Sequence, residues 1–279
     1  MATNITTATN ITIVERRNGL VPVDWKELWD HRELLLLLAW RDIKVRYKQT
    51  ALGASWAILQ PLLNMLIFTL LFHRLAHMPS DGLPYPLFVL AGLLPWTFFA
   101  NSVGTSAQSL VGSAHLITRV YFPRLIVVLS SVLSGLLDLG ITFLLMFGIM
   151  AFYHVRVGWA VLLLPFLVLI TGLTAFGIGT GIAALTVAYR DFRYVVPFAV
   201  QVGMFITPVV YPVSVIPQRW RWLVNLNPMA GIIEAYRSSF FSTPLSWGQL
   251  SLSLCSGAVL FLIGTAYFRK VERGFADII

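Results

Sequence analysis

The chain has 279 residues, of which 57% are hydrophobic and 11% are charged, and its net charge is +8. Soluble domains carry roughly 25% charged residues, so this composition excludes a soluble globular protein and predicts an integral membrane protein. The positive charge does not indicate nucleic-acid binding, because most Lys and Arg residues lie at the ends of apolar segments, as the positive-inside rule describes.

Residues 1–23 are rich in Thr and Asn and contain no apolar stretch of the kind found in a signal peptide, so we expect a disordered tail. Residues 24–53 predict an amphipathic helix that lies in the headgroup layer on the cytoplasmic side. Its apolar face is formed by Leu36, Trp40, Ile43 and Tyr47. Asp42 and Arg46 stand four residues apart, which is the spacing of a helical salt bridge.

Four cations near the end of this helix predict contact with lipid phosphate groups. They are Arg41, Lys44, Arg46 and Lys48. A cation near an anionic membrane surface contributes about 1 kcal/mol of attraction, so general anchoring to anionic lipid explains the same residues, and the two roles are compatible. Leu52 and Gly53 then interrupt the helical pattern and direct the chain into the membrane.

Residues 54–279 predict a membrane domain with six spanning helices, so the expected fold class is an all-α integral membrane protein. The predicted spans are residues 55–75, 85–104, 125–153, 159–188, 195–211 and 251–268. With the N-terminus inside, 15 of the 20 Lys and Arg residues lie in cytoplasmic segments and five in outer ones. This asymmetry predicts a multi-pass protein of the bacterial inner membrane with both termini in the cytoplasm.

The fifth span is short, and several prolines lie within it or just after it. These are Pro197 and Pro208 and, just after the span, Pro212 and Pro217. Prolines free backbone carbonyls, which the bilayer tolerates only where protein or water satisfies them. In the semi-apolar residues 217–249 that follow, Asn227 and Pro228 open a short helix that carries Glu234 and Arg237. This helix is too short and too charged to span, so we expect a pair of half-embedded outer helices.

Asp138 is the one carboxylate inside the predicted spans, and an intramembrane acid is a candidate functional residue. It is either part of a proton relay or a structural acid satisfied by serines such as Ser131 or Ser134, and the second interpretation is the simpler one. Gly177 and Gly181 form a small-xxx-small pair, which predicts close helix packing.

The segment between the second and third spans is partly polar and cytoplasmic. A short helix for a cytoplasmic partner and an ordinary solvated connector explain its composition equally well. The sequence contains no G-x-x-x-x-G-K-[ST] phosphate loop, no hydrolase motif and no Cys/His cluster with metal spacing. We therefore expect no catalytic residue, no metal site and no cofactor in this chain.

Several motifs occur in the order found in one family. They are RDIKVRYKQTALGASWAILQPL at the first span, YFPR before the third, AYRDFRYVVPF before the fifth, ITPVVYP within it, NPM and AYR in the outer helices, and ERGFADII at the end. Together they resemble the permease subunits of type-2 ABC exporters of polysaccharides, most closely the Wzm-like O-antigen exporter permeases. The teichoic acid and capsule export permeases are related to them. The resemblance covers residues 25–279.

The resemblance implies a homodimer and two copies of a separate ATPase subunit, which holds the ATP and Mg²⁺. It implies a channel lined by the first and fifth spans, for which the candidates are Trp56, Gln60, Asn64, Phe68, Gln201 and Phe205. Leu52 and Gly53 match the family's corner at the membrane interface. The candidates for ATPase coupling are Ser113, His115, Leu116 and Arg119. The candidates for an outer gate are Trp222, Pro228, Ile232, Glu234 and Arg237.

We therefore expect the channel-forming subunit of an ATP-driven exporter of a polyprenyl-pyrophosphate-linked glycan of the O-antigen type. It contacts membrane lipid and no nucleic acid. Teichoic acid or capsular polysaccharide is an alternative cargo. A membrane enzyme that acts on lipid-linked sugars is a more distant alternative, but it needs clustered acids or histidines that the sequence lacks. A drug or small-lipid permease is a third, disfavoured by the dense aromatic and basic residues at the entry.

Overall fold

The computed structural model describes residues 23–48 and 55–275, which form helices joined by short connections. There is no β-strand in these residues, in agreement with the predicted all-α fold class. Five helical stretches are long and apolar enough to cross a membrane. They are Ser55–Leu75, Tyr85–Gly112, Leu125–Phe152, Trp159–Ala188 and Trp247–Val271. The expected tail lies outside the described residues except for Val23, and so do Leu52 and Gly53.

Two helices replace the single amphipathic helix predicted for residues 24–53. Helix α1 (Trp25–Asp30) begins at Asp24, whose side chain accepts a hydrogen bond from a backbone N–H in the first turn. Helix α2 (Arg32–Tyr47) follows after a break at His31.

Helix α2 packs along helix α6 (Leu125–Phe152), and this contact decides which of its faces is buried. Leu38 and Ala39 are buried. Leu36 and Trp40, which the sequence assigns to the apolar face, are 64% and 56% exposed. These two side chains are therefore free to face lipid, as predicted for the apolar face, while Leu38 and Ala39 pack against protein.

Helix α3 (Ser55–Phe68) continues into a wider π-helical segment, Thr69–Leu75, and the two together confirm the first predicted span. Of the 18 most apolar consecutive residues of Ser55–Leu75, 6% are buried, against 78% of those of α4 (Tyr85–Gly112). Helix α4 is therefore the centre of the bundle, and α3 lies at its edge.

Helix α4 runs about two turns beyond the predicted span 85–104. Residues 105–112, which lie beyond the predicted span, are therefore helical, and the connector interpretation does not hold for them. Helix α5 (Ala114–Arg119) follows, so this segment does contain a short helix. Its contact with a partner stays a prediction.

Helix α7 (Leu164–Ala188), which is entered through the 3-10 turn Trp159–Leu163, packs closely on α11 (Trp247–Val271). A Cβ atom added at Gly181 would lie 3.0 Å from the Cα of Gly264. One added at Gly177 would collide with the backbone of Phe261. The predicted close packing at this glycine pair is confirmed.

Helix α8 (Phe192–Ile206) replaces the predicted fifth span, residues 195–211. Its 15 residues extend about 22 Å, which is less than the roughly 30 Å of a hydrocarbon core. A helical span of the predicted length is therefore absent at this place, and five of the six predicted spans have the length of a membrane crossing.

The chain after α8 is buried without being helical. The Tyr85 hydroxyl donates a hydrogen bond to the carbonyl of Val210 over 2.7 Å, and the Arg237 guanidinium donates to the carbonyl of Val209 over 2.6 Å. Irregular backbone is tolerated at membrane depth only where protein groups satisfy it, and these two side chains do so.

Two short helices follow residue 217, as predicted: α9 (Gln218–Asn225) and α10 (Pro228–Phe241). The Asn227 side chain caps α10 by accepting a hydrogen bond from the Met229 N–H over 2.9 Å. Helix α10 is largely buried against α4, α7 and α11, whereas α9 has no buried residue. The two helices are therefore unequal: α10 belongs to the core and α9 lies at the surface.

Candidate functional site

A cavity of about 1330 Å³ lies between α2, α3, α4, α6 and the start of α8, and we call it the polar cleft. It is larger than a typical small-molecule pocket of roughly 300–1,000 Å³. Polar side chains line much of it, although its walls come from helices that are otherwise strongly apolar.

Amide side chains project into the polar cleft from two facing helices. Gln60 and Asn64 come from successive turns of α3, and Asn101 and Gln108 come from α4. These four amides make no hydrogen bond to another described residue. An unsatisfied amide in hydrocarbon costs several kcal/mol, so the polar cleft suits water or a polar ligand and not lipid tails.

The side of the polar cleft that α4 forms is open as well as polar. A Cβ atom added at Gly104 or Gly112 would meet no atom within 4 Å. Thr105 lies one helical turn from Asn101 and donates a hydrogen bond to its carbonyl over 2.7 Å. Trp56 adds an aromatic surface from α3.

Two ion pairs lie on the α2 side of the polar cleft. Arg41 pairs with Asp42 over 2.8 Å, and the Ser130 hydroxyl of α6 donates to the other Asp42 oxygen over 3.4 Å. Arg46 pairs with Asp138 of α6. The predicted pair between Asp42 and Arg46 is therefore wrong, because α2 packs along α6 and each side chain finds a nearer partner.

Asp138 also accepts a hydrogen bond from the Tyr47 hydroxyl. Burial, reinforced by the neighbouring Asp138 carboxylate, raises the pKa of Tyr47 to about 12, so its hydroxyl stays protonated and donates at neutral pH. The expectation that Ser131 or Ser134 satisfies Asp138 is wrong. Their hydroxyls donate instead to backbone carbonyls of α6, over 3.2 Å and 2.9 Å respectively.

The predicted headgroup cations divide into two pairs. Arg41 and Arg46 line the polar cleft. Lys44 and Lys48 are exposed and do not line it, and the Lys44 ammonium lies 5.6 Å from the ring centroid of Trp40. The structure therefore brings the two arginines, and neither lysine, to the cavity.

The predicted channel residues also divide into two groups. Those of α3 that line the polar cleft are Trp56, Gln60 and Asn64. Phe68, a turn further on, packs against Phe72 with ring centroids 5.8 Å apart. Gln201 and Phe205 of α8 are exposed and do not line the polar cleft. Within a single chain, the α3 and α8 candidates therefore do not meet in one cavity.

The candidates for ATPase coupling lie in or beside α5. Ser113 is buried and lines the polar cleft. His115 and Arg119 are exposed, and Leu116 is half-buried. A buried residue of the polar cleft is therefore followed directly by a short helix with exposed polar side chains.

Arg124 connects two of the sequence motifs, YFPR and ERGFADII. Its guanidinium donates a hydrogen bond to the carbonyl of Glu272 and lies 5.7 Å from the ring centroid of Phe275. Burial raises the pKa of the Glu272 carboxyl. Phe275 is fully buried and packs on Phe268 with centroids 5.4 Å apart. The chain that follows α11 is therefore fixed to the start of α6.

Two of the five predicted outer-gate residues, Ile232 and Arg237, lie in the core. Arg237 is buried, with its guanidinium 3.7 Å from the ring centroid of Phe88, and it pairs with Glu234 over 3.5 Å. Ile232 is fully buried, and Pro228 is the first residue of α10. Trp222 of α9, by contrast, is exposed.

The sequence does not single out Asn101, Thr105 and Gln108, because it places the end of the second span at residue 104. A signal is nevertheless present. The three residues are spaced by four and three positions, which puts them on one face of a helix. In the described part of the chain, no group of three or more His, Cys, Asp or Glu residues is placed to hold a metal ion.

Comparison with known proteins gives a consistent result. Residues 33–241 match the model of the ABC-2 type transporter family. An O-antigen export system permease protein RfbA of Myxococcus xanthus is 31% identical over 255 residues, covering 90% of this chain and 97% of that protein. One of Klebsiella pneumoniae is 29% identical over 251 residues, with 88% and 95% covered. The polysialic acid transport protein KpsM of Escherichia coli is 25% identical over 245 residues, with 84% and 91% covered.

Proposed function

Because the chain belongs to the ABC-2 type transporter family, we propose that it is the channel-forming subunit of an ATP-driven exporter of lipid-linked polysaccharide, of the O-antigen type. It is a transporter's membrane subunit and not an enzyme, and ATP hydrolysis belongs to a separate subunit. The observation that carries the proposed cargo is the similarity to O-antigen export permeases along nearly the whole chain.

The polar cleft supports a polar cargo. A polyprenyl-pyrophosphate-linked glycan has an apolar tail, an anionic headgroup and a hydroxyl-rich polymer. Arg41 and Arg46 offer cationic donors to the phosphates, and the amides of α3 and α4 offer a polar surface within an apolar bundle. The lipid tail stays in the bilayer beside these helices.

The exposed helices support a homodimer. Helix α3 has the least buried apolar stretch of the five candidate spans in the described residues, and α8 exposes Phe198, Phe205 and Gln201. Pairing two chains through α3 and α8 would bring the two groups of channel candidates together. In this arrangement α8 and the buried turn after it make the sixth crossing, and both termini lie in the cytoplasm.

Two copies of the ATPase subunit complete the assembly. Helix α5 is short, exposes His115 and Arg119, and follows the polar cleft residue Ser113. A movement of α5 caused by the ATPase subunit would therefore be transmitted to the polar cleft through Ser113. On the other side of the membrane, α9 with exposed Trp222 acts as the outer gate, and α10 is its fixed support.

Capsular polysaccharide is the second candidate cargo, because KpsM and other capsule permeases also match over most of the chain, at lower identity. Teichoic acid is a further alternative cargo, which the same export mechanism would carry.

Deletion of the gene in its own bacterium tests the cargo. We expect lipid-linked O-antigen to accumulate inside and to disappear from the surface, with rescue by the wild-type chain. Loss of capsule with normal O-antigen would instead identify capsular polysaccharide as the cargo. Unchanged surface polysaccharides would contradict both.

Purification tests whether ATP hydrolysis requires the separate ATPase subunit. The chain alone should hydrolyse no ATP, and activity should appear with the ATPase subunit bound. ATP hydrolysis by the purified chain alone would contradict the proposal.

A further inference from the structure

We propose that Asn101, Thr105 and Gln108, which we call the α4 wall, bind the first sugars next to the phosphates of the carrier lipid. The inference rests on the proposed export function. It adds a recognition step, in which each subunit distinguishes a glycan-loaded carrier from an empty one within its own polar cleft.

The α4 wall is a continuous polar strip. Its three side chains line the polar cleft from one face of α4, over about 10 Å of helix length. Gly104 and Gly112 flank them with open space where side chains would otherwise stand. A ring-shaped ligand can therefore approach the α4 backbone closely at Gly104, within the strip, and at Gly112, just beyond it.

The chemistry of the strip matches hydroxyl groups. An amide offers both donors and an acceptor, and neither amide of the α4 wall makes a hydrogen bond to a described residue. Sugar hydroxyls also donate and accept, so each amide can engage them in pairs. The aromatic side chain of Trp56 lines the same cavity, is exposed, and offers a face for the C–H side of a sugar ring.

Other ligands fit less well. The α4 wall carries no charge, so phosphate is better placed at Arg41 and Arg46. A lipid tail would leave the amides unsatisfied. The facing helix contributes Gln60 and Asn64, so a ligand between the two walls meets neutral hydrogen-bonding groups on both sides.

One cavity therefore contains a part with two arginine–aspartate pairs, whose guanidinium groups can also donate to phosphate, and a neutral, amide-lined part. A carrier lipid without sugar can occupy the first but leaves the second to water. A loaded carrier fills both. Sugar contacts with the α4 wall would then favour transport of the loaded carrier. The empty carrier would stimulate less ATP hydrolysis.

The test uses the complete complex with its ATPase subunit in proteoliposomes. The probes are undecaprenyl pyrophosphate, bare or carrying a single N-acetylglucosamine, and the measurement is the probe concentration that gives half-maximal stimulation of ATP hydrolysis. We expect the wild type to respond at lower concentrations of the sugar-bearing probe. Asn101→Leu and Gln108→Met should raise that concentration about tenfold when combined, and should leave the response to the bare probe unchanged.

Gln108→Asn is the matched control, because it keeps the amide, and it should retain most of the preference. Thr105→Val, which removes the hydroxyl of the α4 wall, gives a second variant if the amide changes prevent assembly of the complex. Variants that keep the full preference for the sugar-bearing probe would overturn the sugar-binding role of the α4 wall. An equal loss of response to both probes would overturn it as well. Equal wild-type responses to both probes would overturn it while leaving the export proposal intact. A wild type that responds to neither probe would count against the proposed cargo itself.

Discussion

Asp138 lies midway along the apolar helix α6, and its partners come from a different helix. An isolated carboxylate at this depth costs several kcal/mol, which pairing with Arg46 and a hydrogen bond from Tyr47 largely offset. The Asp138 and Arg46 side chains keep 25% and 31% of their exposure, since they border the polar cleft. The same contact ties α2 to α6. The charge of Asp138 is therefore compensated by residues of α2, which lies outside the spanning helices.

Breaking this pair should destabilise the chain. Asp138→Asn and Arg46→Gln each leave one charge without its partner, and we expect a loss of about 1–2 kcal/mol, less than the 3–5 kcal/mol of a fully buried pair because water screens the site. The double variant should recover part of the loss. Thermal unfolding of the purified chain in detergent measures all three. If Asp138 instead relays protons, Asp138→Asn would leave the unfolding temperature unchanged and remove a dependence of export on the pH gradient.

The arginines and lysines of α2 should differ in their effect on export. Arg41→Ala should lower export per assembled complex, because Arg41 lines the polar cleft where the phosphates would bind. Lys44→Ala should leave it near the wild-type level, because Lys44 lies outside the cavity and faces the surroundings. Surface polysaccharide, normalised to the amount of complex in the membrane, measures both. Equal losses would point to anchoring in anionic lipid rather than to headgroup recognition.

The contact between α7 and α11 is the tightest helix packing that the glycines reveal. Gly181 and Gly264 meet almost backbone to backbone, and Gly264 also faces the carbonyl of Gly177. Van der Waals packing drives such contacts, because helix association within the bilayer has no hydrophobic driving force. Any added side-chain atom must therefore push the helices apart.

Gly264→Ala should destabilise the chain by about 1–3 kcal/mol through this overpacking. Gly148→Ala on α6 is the matched control: it has open space where the new methyl group would lie, so helix propensity alone should make it neutral or about 0.5–1 kcal/mol more stable. Thermal unfolding of both variants in the same detergent makes the comparison. A similar shift for the two would mean that the close approach of α7 and α11 contributes little.

Periodicity and length predict the elements of this chain well where a helix is uniformly apolar. The first, third and fourth spans begin and end within a residue or so of the predicted limits. The second and fifth deviate, because polar residues at 101–112 continue a helix along a cavity, and because side chains such as Arg237 satisfy the backbone after α8. Neither a cavity nor a distant hydrogen-bond donor is visible in a window of sequence.

The site shows the same limit. The charge pattern of α2 predicts Arg41 and Arg46, and the family resemblance implies Gln60 and Asn64; all four line the polar cleft. The sequence pairs Arg46 with Asp42, four residues away, although the actual partner is Asp138. Local spacing reports which contacts are possible within a helix, whereas the docking of α2 on α6 decides which one forms.

At the scale of the whole molecule, the single chain leaves one side of the bundle open. Helix α4 is enclosed by its neighbours, whereas α3 is covered on little of its surface. Lipid can cover the apolar residues of α3, but not the polar cleft beside it. A second copy of the chain placed against α3 and α8 would enclose the polar cleft from that side and leave the outer face of α6 to the lipid.

Cysteine cross-linking in membranes tests this arrangement. After Cys255→Ser removes the exposed native thiol, single cysteines are placed at exposed positions of the first span, at Leu63 and Leu66 of α3 and at Leu70 of the π-helical segment. We expect an oxidant to link two chains through at least one of these positions, because a twofold axis near α3 brings equivalent residues together. Leu144→Cys on α6, which is equally apolar and 73% exposed, is the control and should remain monomeric. Efficient linking at Leu144 with none along α3 would place the dimer contact on α6 and leave the polar cleft open to the side.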